Sequence, residues 1–272
     1  PPNQGHHMHS LNVTLTRNQI ADFVNLGFLA IDRITADDEI GQLREIFDRL
    51  FDARTGESRG LFYDLAAPRG HAGRNLLPQV LGPDLHVPEL RESTYYRNAR
   101  ALGATLLGVP EDELTIGGHM IMKPARYGAE TPWHQDEAYW DPNVVMNSLS
   151  VWLSLDEATV ESGCMQFIPG SHQSEDVHEH RHIDDDPLIH GLVTDHVDPT
   201  HAVSCPLSPG GATFHHSRTL HHTGANRTPA VRRAYILVCS GPADERDTPA
   251  HRPWQQDERN ALARAGIDVQ VF

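Results

Sequence analysis

The stretch NSLSVWLSLDE, residues 147–157, decides which fold this chain is expected to adopt. Large apolar residues alternate in it with serines and one tryptophan, which is the period-two pattern of a β-strand with one packed face. TIGGHMIMK at 115–123 and RRAYILVCS at 232–240 also predict strands. Turns that contain glycine and proline, such as IPGS at 168–171 and SPGG at 208–211, separate the strands. The pattern predicts a sandwich or a barrel.

The first half of the chain predicts helices instead. One helix would begin at a capping box and end before a glycine, a second has apolar residues at intervals of three and four, and a third is less regular. Their markers are Thr16 with Gln19 and Gly27, Thr35 with Asp38, and the range from about Glu89 to Leu107, with a short FLAI strand at 28–31. We therefore expect a mainly β protein with a helical layer.

Length and charge limit the possible functions. A chain of 272 residues with 39% hydrophobic residues can bury one large core, so a single domain over residues 1–272 is expected. The net charge of −15 disfavours nucleic acids and anionic membranes as partners, because both bind basic surfaces. Without a long apolar run or a secretory signal, a cytoplasmic protein is expected. PPNQGHHMHS, residues 1–10, has the appearance of a tag remnant or a disordered N-terminus.

A histidine and a carboxylate stand two residues apart in TPWHQDEAYW, residues 131–140. In an extended strand His134 and Asp136 project from the same face, which suits either half of a metal site or an ordinary ion pair. A second group of histidines lies in FHHSRTLHHT, residues 214–223. A barrel could return one of them beside the pair. Two histidines and a carboxylate on one octahedral face leave three positions open, as in non-haem Fe(II) oxygenases.

Such an oxygenase can bind a bidentate 2-oxo acid at two positions and O2 at the third, and it needs a cation for the far carboxylate of the 2-oxo acid. Arginine suits that role because its guanidinium pairs with a carboxylate in a bidentate fork. Arg232 and Arg233 begin the strand that follows the histidines. Local sequence does not choose between these two arginines.

The choice among the histidines also stays open at this level. Period two places His221 and Thr223 on one face of a strand and His222 on the other. Local sequence does not decide which face carries the ligand. Two more histidines, which could be pocket residues or ordinary buried or surface side chains, are His215 and His216.

Four stretches give the chain a resemblance to a known family. They are MIMKP from Met120, WHQDEAYW from Trp133, SVWLSLDEATVESGCMQFIPGSH from Ser150 and LHHTGANRTPAVRRA from Leu220. In these stretches the chain resembles the phytanoyl-CoA dioxygenase (PhyH) family of Fe(II)- and 2-oxoglutarate-dependent oxygenases. The resemblance implies a double-stranded β-helix, which is a cupin-like jelly roll, with the N-terminal helices packed on one sheet.

Carried over residue by residue, the resemblance implies that His134, Asp136 and His221 bind iron and form the catalytic centre. Arg232 would hold the distal carboxylate of 2-oxoglutarate. Other residues that would contact this co-substrate are Thr223, Trp152 and His119. A substrate pocket is also expected, although its aromatic members could equally be core filling; its candidates are Trp133, Gln135, Tyr139, Trp140, Arg74 and His216.

These residues imply a dioxygenase that oxidises 2-oxoglutarate with O2 to succinate and CO2 and hydroxylates, or otherwise oxidises, a C–H bond of a small organic metabolite. Hydroxylation is favoured because Asp136 is present, whereas related halogenases have a small residue there. The alternative is a Zn(II)- or Mn(II)-dependent hydrolase or isomerase with the same triad. A non-catalytic binding protein is the third hypothesis. An acyl-CoA is disfavoured because the chain has no compact Lys/Arg cluster for its phosphates, and a monomer or homodimer is expected.

The polar segment 172–200, which begins HQSEDVHEHRH, shows no periodicity. Long stretches of this kind are either solvated surface loops or functional lids. We therefore expect one of these two for residues 172–200.

Overall fold

The computed structural model of the protein describes residues 11–267, so the predicted tag remnant at residues 1–10 lies outside the described part. The α-helices of this range are α1 Arg17–Leu26, α2 Asp37–Asp52, α3 Pro83–His86, α4 Thr94–Leu107 and α5 Pro253–Ala265. The strands are β1 Phe28–Ile31, β2 Phe62–Asp64, β3 Pro78–Leu81, β4 Thr115–Lys123, β5 Thr131–His134, β6 Val144–Ser154, β7 Met165–Phe167, β8 Arg181–His182, β9 Leu192–Val193, β10 Val203–Cys205, β11 Ala212–His216, β12 His221–Thr223 and β13 Arg232–Glu245. Among the described helices, none has the length and apolar character needed to cross a membrane.

Two antiparallel sheets form the body of the protein. The large sheet has seven strands in the order β1-β11-β6-β13-β4-β3-β2, and the small sheet has four in the order β10-β7-β12-β5. Apolar residues from both sheets fill the space between them, and the rings of Phe28 and Phe167 stack there at 4.6 Å. The helices α1, α2 and α4 pack against the opposite face of the large sheet. This is the jelly roll with helices on one sheet that the sequence predicted.

Strand β6 is buried on both faces, whereas its sequence predicted one packed face. From Ser148 to Ser154 every residue is buried. Leu149, Val151 and Leu153 pack beneath the helices, and the alternate positions face the small sheet. The prediction was incomplete because the serines on the second face are polar but still enclosed. That second face, which we call the inner face of the large sheet, carries much of the site described below.

The helix boundaries differ from the prediction in two places. The capping box of α1 is present, and Gly27 ends this helix with a φ of 82°. Helix α2 begins after Ala36, which makes no side-chain cap, and the hydroxyl of Thr35 instead donates to the carboxylate of Glu39. The third helix is divided, because a 3-10 turn over Pro88–Glu92 precedes α4.

Residues 172–200 pack against the small sheet. His180, His182 and Leu192 are buried, and a two-stranded ladder joins β8 to β9. Backbone N–H groups of this segment donate to neighbours of the candidate ligands: Leu192 to the Tyr139 hydroxyl at 2.8 Å, and Thr194 to the Trp133 carbonyl at 2.9 Å. The solvated-loop interpretation does not describe these buried residues, but it does describe the exposed end of the segment at 195–200. A lid function stays a prediction.

Candidate metal centre

The candidate ligands meet at the end of the small sheet. His134 is the last residue of β5, His221 is the first of β12, and the two are direct partners in the antiparallel register. Asp136 follows two residues later, at the start of a 3-10 turn. One donor atom from each of the three side chains lies within 4.8 Å of the others. Of the described residues, these are the ones that form such a group.

Both imidazoles present a free nitrogen to the centre. The Nδ1 atom of His134 lies 2.8 Å from the Pro132 carbonyl, and that of His221 lies 2.9 Å from the Thr219 carbonyl. A carbonyl oxygen can only accept, so each Nδ1 carries the proton and each Nε2 keeps its lone pair. The Nε2 atoms of His134 and His221 lie 3.7 Å and 3.3 Å from Oδ1 of Asp136. Ligands at right angles around a metal at about 2.1 Å are roughly 3 Å apart, so the 3.3 Å separation is close to this spacing and the 3.7 Å separation is longer.

Asp136 is held in its charged form. Burial alone would raise the pKa of its carboxyl, but close contacts with the imidazoles of His221, His134 and His215 hold the pKa well below 3.8. Burial and the neighbouring His221 lower the pKa of His134. A charged carboxylate beside neutral imidazoles is the protonation state that a divalent metal requires of its ligands.

The second oxygen of Asp136 faces away from the imidazoles. Its Oδ2 accepts a hydrogen bond from the hydroxyl of Ser150 at 2.6 Å and lies 3.3 Å from Nε2 of His215. Sequence reasoning missed Ser150 and left His215 open. The alternation along β6 was the available signal, because it placed Ser150 on the same face as Trp152.

Arg232 is a buried cation with free hydrogen-bond donors. Its side chain extends from the inner face of β13, it is 1% exposed, and its Nε and Nη1 atoms have no partner among the described residues. The guanidinium carbon lies 5.1 Å from the centre of the Trp152 ring. Burial lowers its pKa to about 10, a cost that nearby Asp156 partly offsets. A buried guanidinium of this kind is completed by an anion that accepts from its fork.

The neighbouring Arg233 is fully engaged elsewhere. It points to the other face of β13, where its guanidinium pairs with Asp48 at 2.7 Å and with Asp156 at 3.0 Å. The structure therefore distinguishes two residues that local sequence could not. In the same way, His222 turns away from the centre, stacks on Trp133 at 5.2 Å and approaches Glu130 at 3.6 Å.

A second buried cation, which sequence reasoning missed, stands beside Arg232. Lys123 in β4 is the register partner of Arg232 and is fully buried. Its ammonium donates to the carbonyl of Ala129 and to that of Thr223 at 3.5 Å, and burial lowers its pKa well below 10.5. The hydroxyl of Thr223 donates to that of Thr131 at 3.0 Å.

His119 lies on the inner face of β4, opposite the metal ligands. Burial lowers the pKa of His119 to about 4. The negative charge of Asp136 acts in the opposite direction and raises the pKa, whereas His134 and His215 lower it further. A neutral imidazole at this position can donate or accept a hydrogen bond beside the centre.

The candidate pocket residues differ in their contacts. Tyr139 is close to the centre, with its ring 6.0 Å from that of His134. Gln135 is fully buried and its amide is engaged, since it donates to the Arg218 carbonyl at 2.7 Å and accepts from the His178 backbone at 2.8 Å. The remaining candidates have contacts of other kinds: Trp133 with His222, Trp140 through its carbonyl with Gln255, Arg74 with the Tyr127 ring, and His216 with the His172 ring.

The chain is similar to known proteins in sequence and in fold. The family model for phytanoyl-CoA dioxygenase (PhyH) matches residues 23–234. The crystal structure of EvdO2 from Micromonospora carbonacea var. aurantiaca complexed with 2-oxoglutarate is 42% identical in sequence, with a TM-score of 0.78. The match covers 90% of this chain and 98% of that chain.

Curated relatives are more distant. The probable alpha-ketoglutarate-dependent hypophosphite dioxygenase of Stutzerimonas stutzeri is 33% identical over 121 residues, which are 43% of this chain and 41% of that protein. The phytanoyl-CoA dioxygenase of Arabidopsis thaliana is 26% identical over 260 residues, which are 82% of this chain and 88% of that protein. The matches to the first three curated relatives span between 41% and 57% of their length.

Proposed function

The chain belongs to the phytanoyl-CoA dioxygenase (PhyH) family, and from this premise we propose that it is an Fe(II)- and 2-oxoglutarate-dependent dioxygenase. The reaction converts 2-oxoglutarate, O2 and a substrate R–H to succinate, CO2 and R–OH. One observation carries the proposal: a fully buried guanidinium with free donors faces the same interior as a triad of two histidines and a carboxylate. A distal carboxylate of 2-oxoglutarate would satisfy Arg232.

The donor set fits the metal. Two neutral imidazole nitrogens and one carboxylate oxygen on one face are the ligands of non-haem Fe(II) oxygenases, and they leave three positions for the co-substrate and O2. Bound Fe(II) supplies the redox chemistry by which O2 is reduced while 2-oxoglutarate loses CO2. His134, Asp136 and His221 would hold the iron.

The chain's own residues bind and orient the co-substrate. The fork of Arg232 would donate two charge-assisted hydrogen bonds to the distal carboxylate, which fixes the direction from which the 2-oxo group approaches the triad. Trp152 packs against the guanidinium and excludes water from it, which strengthens this ion pair. Thr223 and His119 would supply further hydrogen bonds from the small and large sheets.

The substrate is proposed to be a small organic metabolite that presents an unactivated C–H bond. Tyr139 and Trp133 would contribute to its pocket, although Trp133 also stacks on His222. Hydroxylation is the proposed outcome, with desaturation, epoxidation or ring formation as variants of the same oxidation. A free metabolite is preferred to an acyl-CoA because the chain has a net charge of −15. A cytoplasmic location and a monomer or homodimer stay predictions that fractionation and light scattering would test.

The alternative hydrolase or isomerase would use the same triad with Zn(II) or Mn(II). It leaves Arg232 without a purpose, because neither reaction needs a dicarboxylate at that position. A non-catalytic binding protein would not need all three ligands in ligating tautomers. Both alternatives are therefore less well supported by the contacts of the site.

The test is an anaerobic absorption titration of the metal-free protein with Fe(II) and then with 2-oxoglutarate. We expect a visible charge-transfer band from the chelated 2-oxo acid, and no band with succinate, which lacks the 2-oxo group. Folded, metal-loaded protein that gives no band with 2-oxoglutarate would overturn the proposal. In that case hydrolysis assays with Zn(II) and Mn(II) would follow.

A further inference from the structure

The carboxylate of Asp136 uses its two oxygens differently. Oδ1 faces the two imidazoles at 3.7 Å and 3.3 Å, whereas Oδ2 lies between Ser150 Oγ at 2.6 Å and His215 Nε2 at 3.3 Å. We propose that Ser150 and His215 are positioning residues that restrict Asp136 to a single metal-binding oxygen. This inference rests on the proposed function, since it assigns a role to residues beside the same metal.

The two residues are built into the sheet as a pair. Ser150 in β6 and His215 in β11 are direct partners in the antiparallel register, so their side chains leave the inner face next to each other. Both are buried, at 1% and 2% exposure. The pair therefore forms a fixed two-donor cradle on the large sheet for an oxygen that belongs to the small-sheet side of the site.

The hydrogen bonding of His215 indicates why a histidine occupies this position. A carboxylate oxygen can only accept, so Nε2 of His215 carries a proton in this contact. The Nδ1 of His215 is buried and has no partner among the described residues. A buried polar nitrogen without a partner destabilises the fold, so stability alone does not account for a histidine here. The contact with Asp136 accounts for the histidine.

Ser148 provides the contrast. It lies two residues before Ser150 on the same face of β6, it is equally buried, and its hydroxyl has no partner among the described residues. A buried serine on this face therefore does not find a hydrogen bond automatically. The contact from Ser150 to Asp136 is specific to its position.

The cradle has a consequence for coordination. A carboxylate that bound the metal through both oxygens would occupy two positions instead of one. With two histidines and a bidentate 2-oxo acid, the six positions of an octahedron would then be filled and none would remain for O2. Two donors that hold Oδ2 away from the metal keep the third position open. Contacts of this kind around metal ligands commonly change metal affinity or activity by roughly 10–100-fold.

The experiment compares Ser150→Ala and His215→Leu with the matched control Ser148→Ala. In each folded variant, the Fe(II) dissociation constant is measured anaerobically, the 2-oxoglutarate dissociation constant is measured through the charge-transfer band, and the rate at which O2 removes that band is measured by stopped flow. We expect this rate to fall roughly tenfold in both test variants and to stay at the wild-type value in the control. A crystal structure of metal-loaded Ser150→Ala should show both oxygens of Asp136 within bonding distance of the metal.

A conservative variant separates positioning from packing. His215→Gln places an amide N–H where Nε2 stood, so it should recover most of the O2 reactivity that His215→Leu loses. The inference is wrong if O2 removes the band of Ser150→Ala as fast as that of Ser148→Ala, or if His215→Gln reacts as slowly as His215→Leu. A loss of Fe(II) in His215→Leu with unchanged Ser150→Ala would instead make His215 a fourth ligand and would also overturn it. Failure of the proposed function is distinct, because wild-type protein would then give no band.

Discussion

Buried polar groups differ between the two faces of the large sheet. On the face beneath the helices several are paired: Glu39 accepts from the backbone N–H groups of Thr94 at 2.6 Å and Tyr95 at 2.9 Å, and the Tyr95 hydroxyl donates to the Val151 carbonyl at 2.7 Å. The buried hydroxyl of Tyr235 on this face has no partner among the described residues. On the inner face several polar atoms have no partner among the described residues. They belong to Arg232, His215, Thr213 and Ser148.

The difference separates stability from function. A buried polar group without a hydrogen bond costs about 1–3 kcal/mol of folding free energy, so a sheet selected only for stability would not leave several on one face. The groups beneath the helices hold the layers together, whereas Arg232 on the inner face borders the space in which the ligands would bind. We infer that a bound co-substrate completes the hydrogen bonds that Arg232 leaves open.

The largest effect is expected from removing the metal-binding carboxylate. Asp136→Ala loses the charged ligand of the triad, so succinate formation from 2-oxoglutarate should be abolished and the charge-transfer band should disappear. Succinate release and the anaerobic titration measure these outcomes, with circular dichroism to verify the fold. Wild-type succinate formation in this variant would disprove the assignment of Asp136.

The next effect separates the two adjacent arginines. Arg232→Ala removes a charge-assisted fork worth about 1.5–3 kcal/mol, so the 2-oxoglutarate dissociation constant should rise roughly 10–150-fold while Fe(II) binding stays unchanged. Arg233→Ala is the matched control. It breaks the ion pairs to Asp48 and Asp156 on the opposite face of the sheet. It should lower the free energy of unfolding by about 1 kcal/mol without weakening the binding of 2-oxoglutarate. The reverse result would place the co-substrate on the other face.

A smaller effect tests the stability cost of the inner face directly. Arg232→Met keeps most of the side-chain volume and removes the unpartnered donors. The free energy of unfolding of the ligand-free protein, measured in urea, should therefore increase by about 1–3 kcal/mol. On the opposite face, Glu39→Gln should lower it by a similar amount because Thr94 and Tyr95 lose a charged acceptor. Equal signs for the two variants would contradict the comparison between faces.

An effect of similar size concerns a buried histidine whose nitrogens are paired. Nε2 of His180 accepts from the Gln135 backbone N–H at 3.2 Å, and burial lowers the pKa of His180 to about 3. Because the unfolded chain takes up a proton near pH 6.5 and the folded chain does not, the stability is present above pH 6.5 and decreases as the pH falls towards 3. The slope is about 1.4 kcal/mol per pH unit for this group. Urea midpoints between pH 7 and 5 measure it, and His180→Gln should reduce it; an unchanged slope would show that His180 does not contribute.

Short-range sequence patterns were sufficient to predict much of the architecture. The period-two alternation predicted β4, β6 and β13, and the capping box with Gly27 predicted α1. Both patterns depend on backbone geometry over a few residues, so they can be read locally. The split of the third helix at Ser93 was not predicted, because the hydroxyl that caps Tyr96 has no distinctive local spacing.

The sequence by itself determined which residue types could form the site: a histidine two residues from an aspartate, a second group of histidines and a pair of arginines. Only the tertiary structure decided which members face one another. It placed His221 beside Asp136 and Arg232 on the inner face, whereas His222 and Arg233 contact residues elsewhere. It also brought Ser150 to Asp136 and buried Lys123 beside Arg232. The physical reason is that alternation fixes which residues share a face, whereas the register between distant strands and the packing of two sheets fix which faces meet.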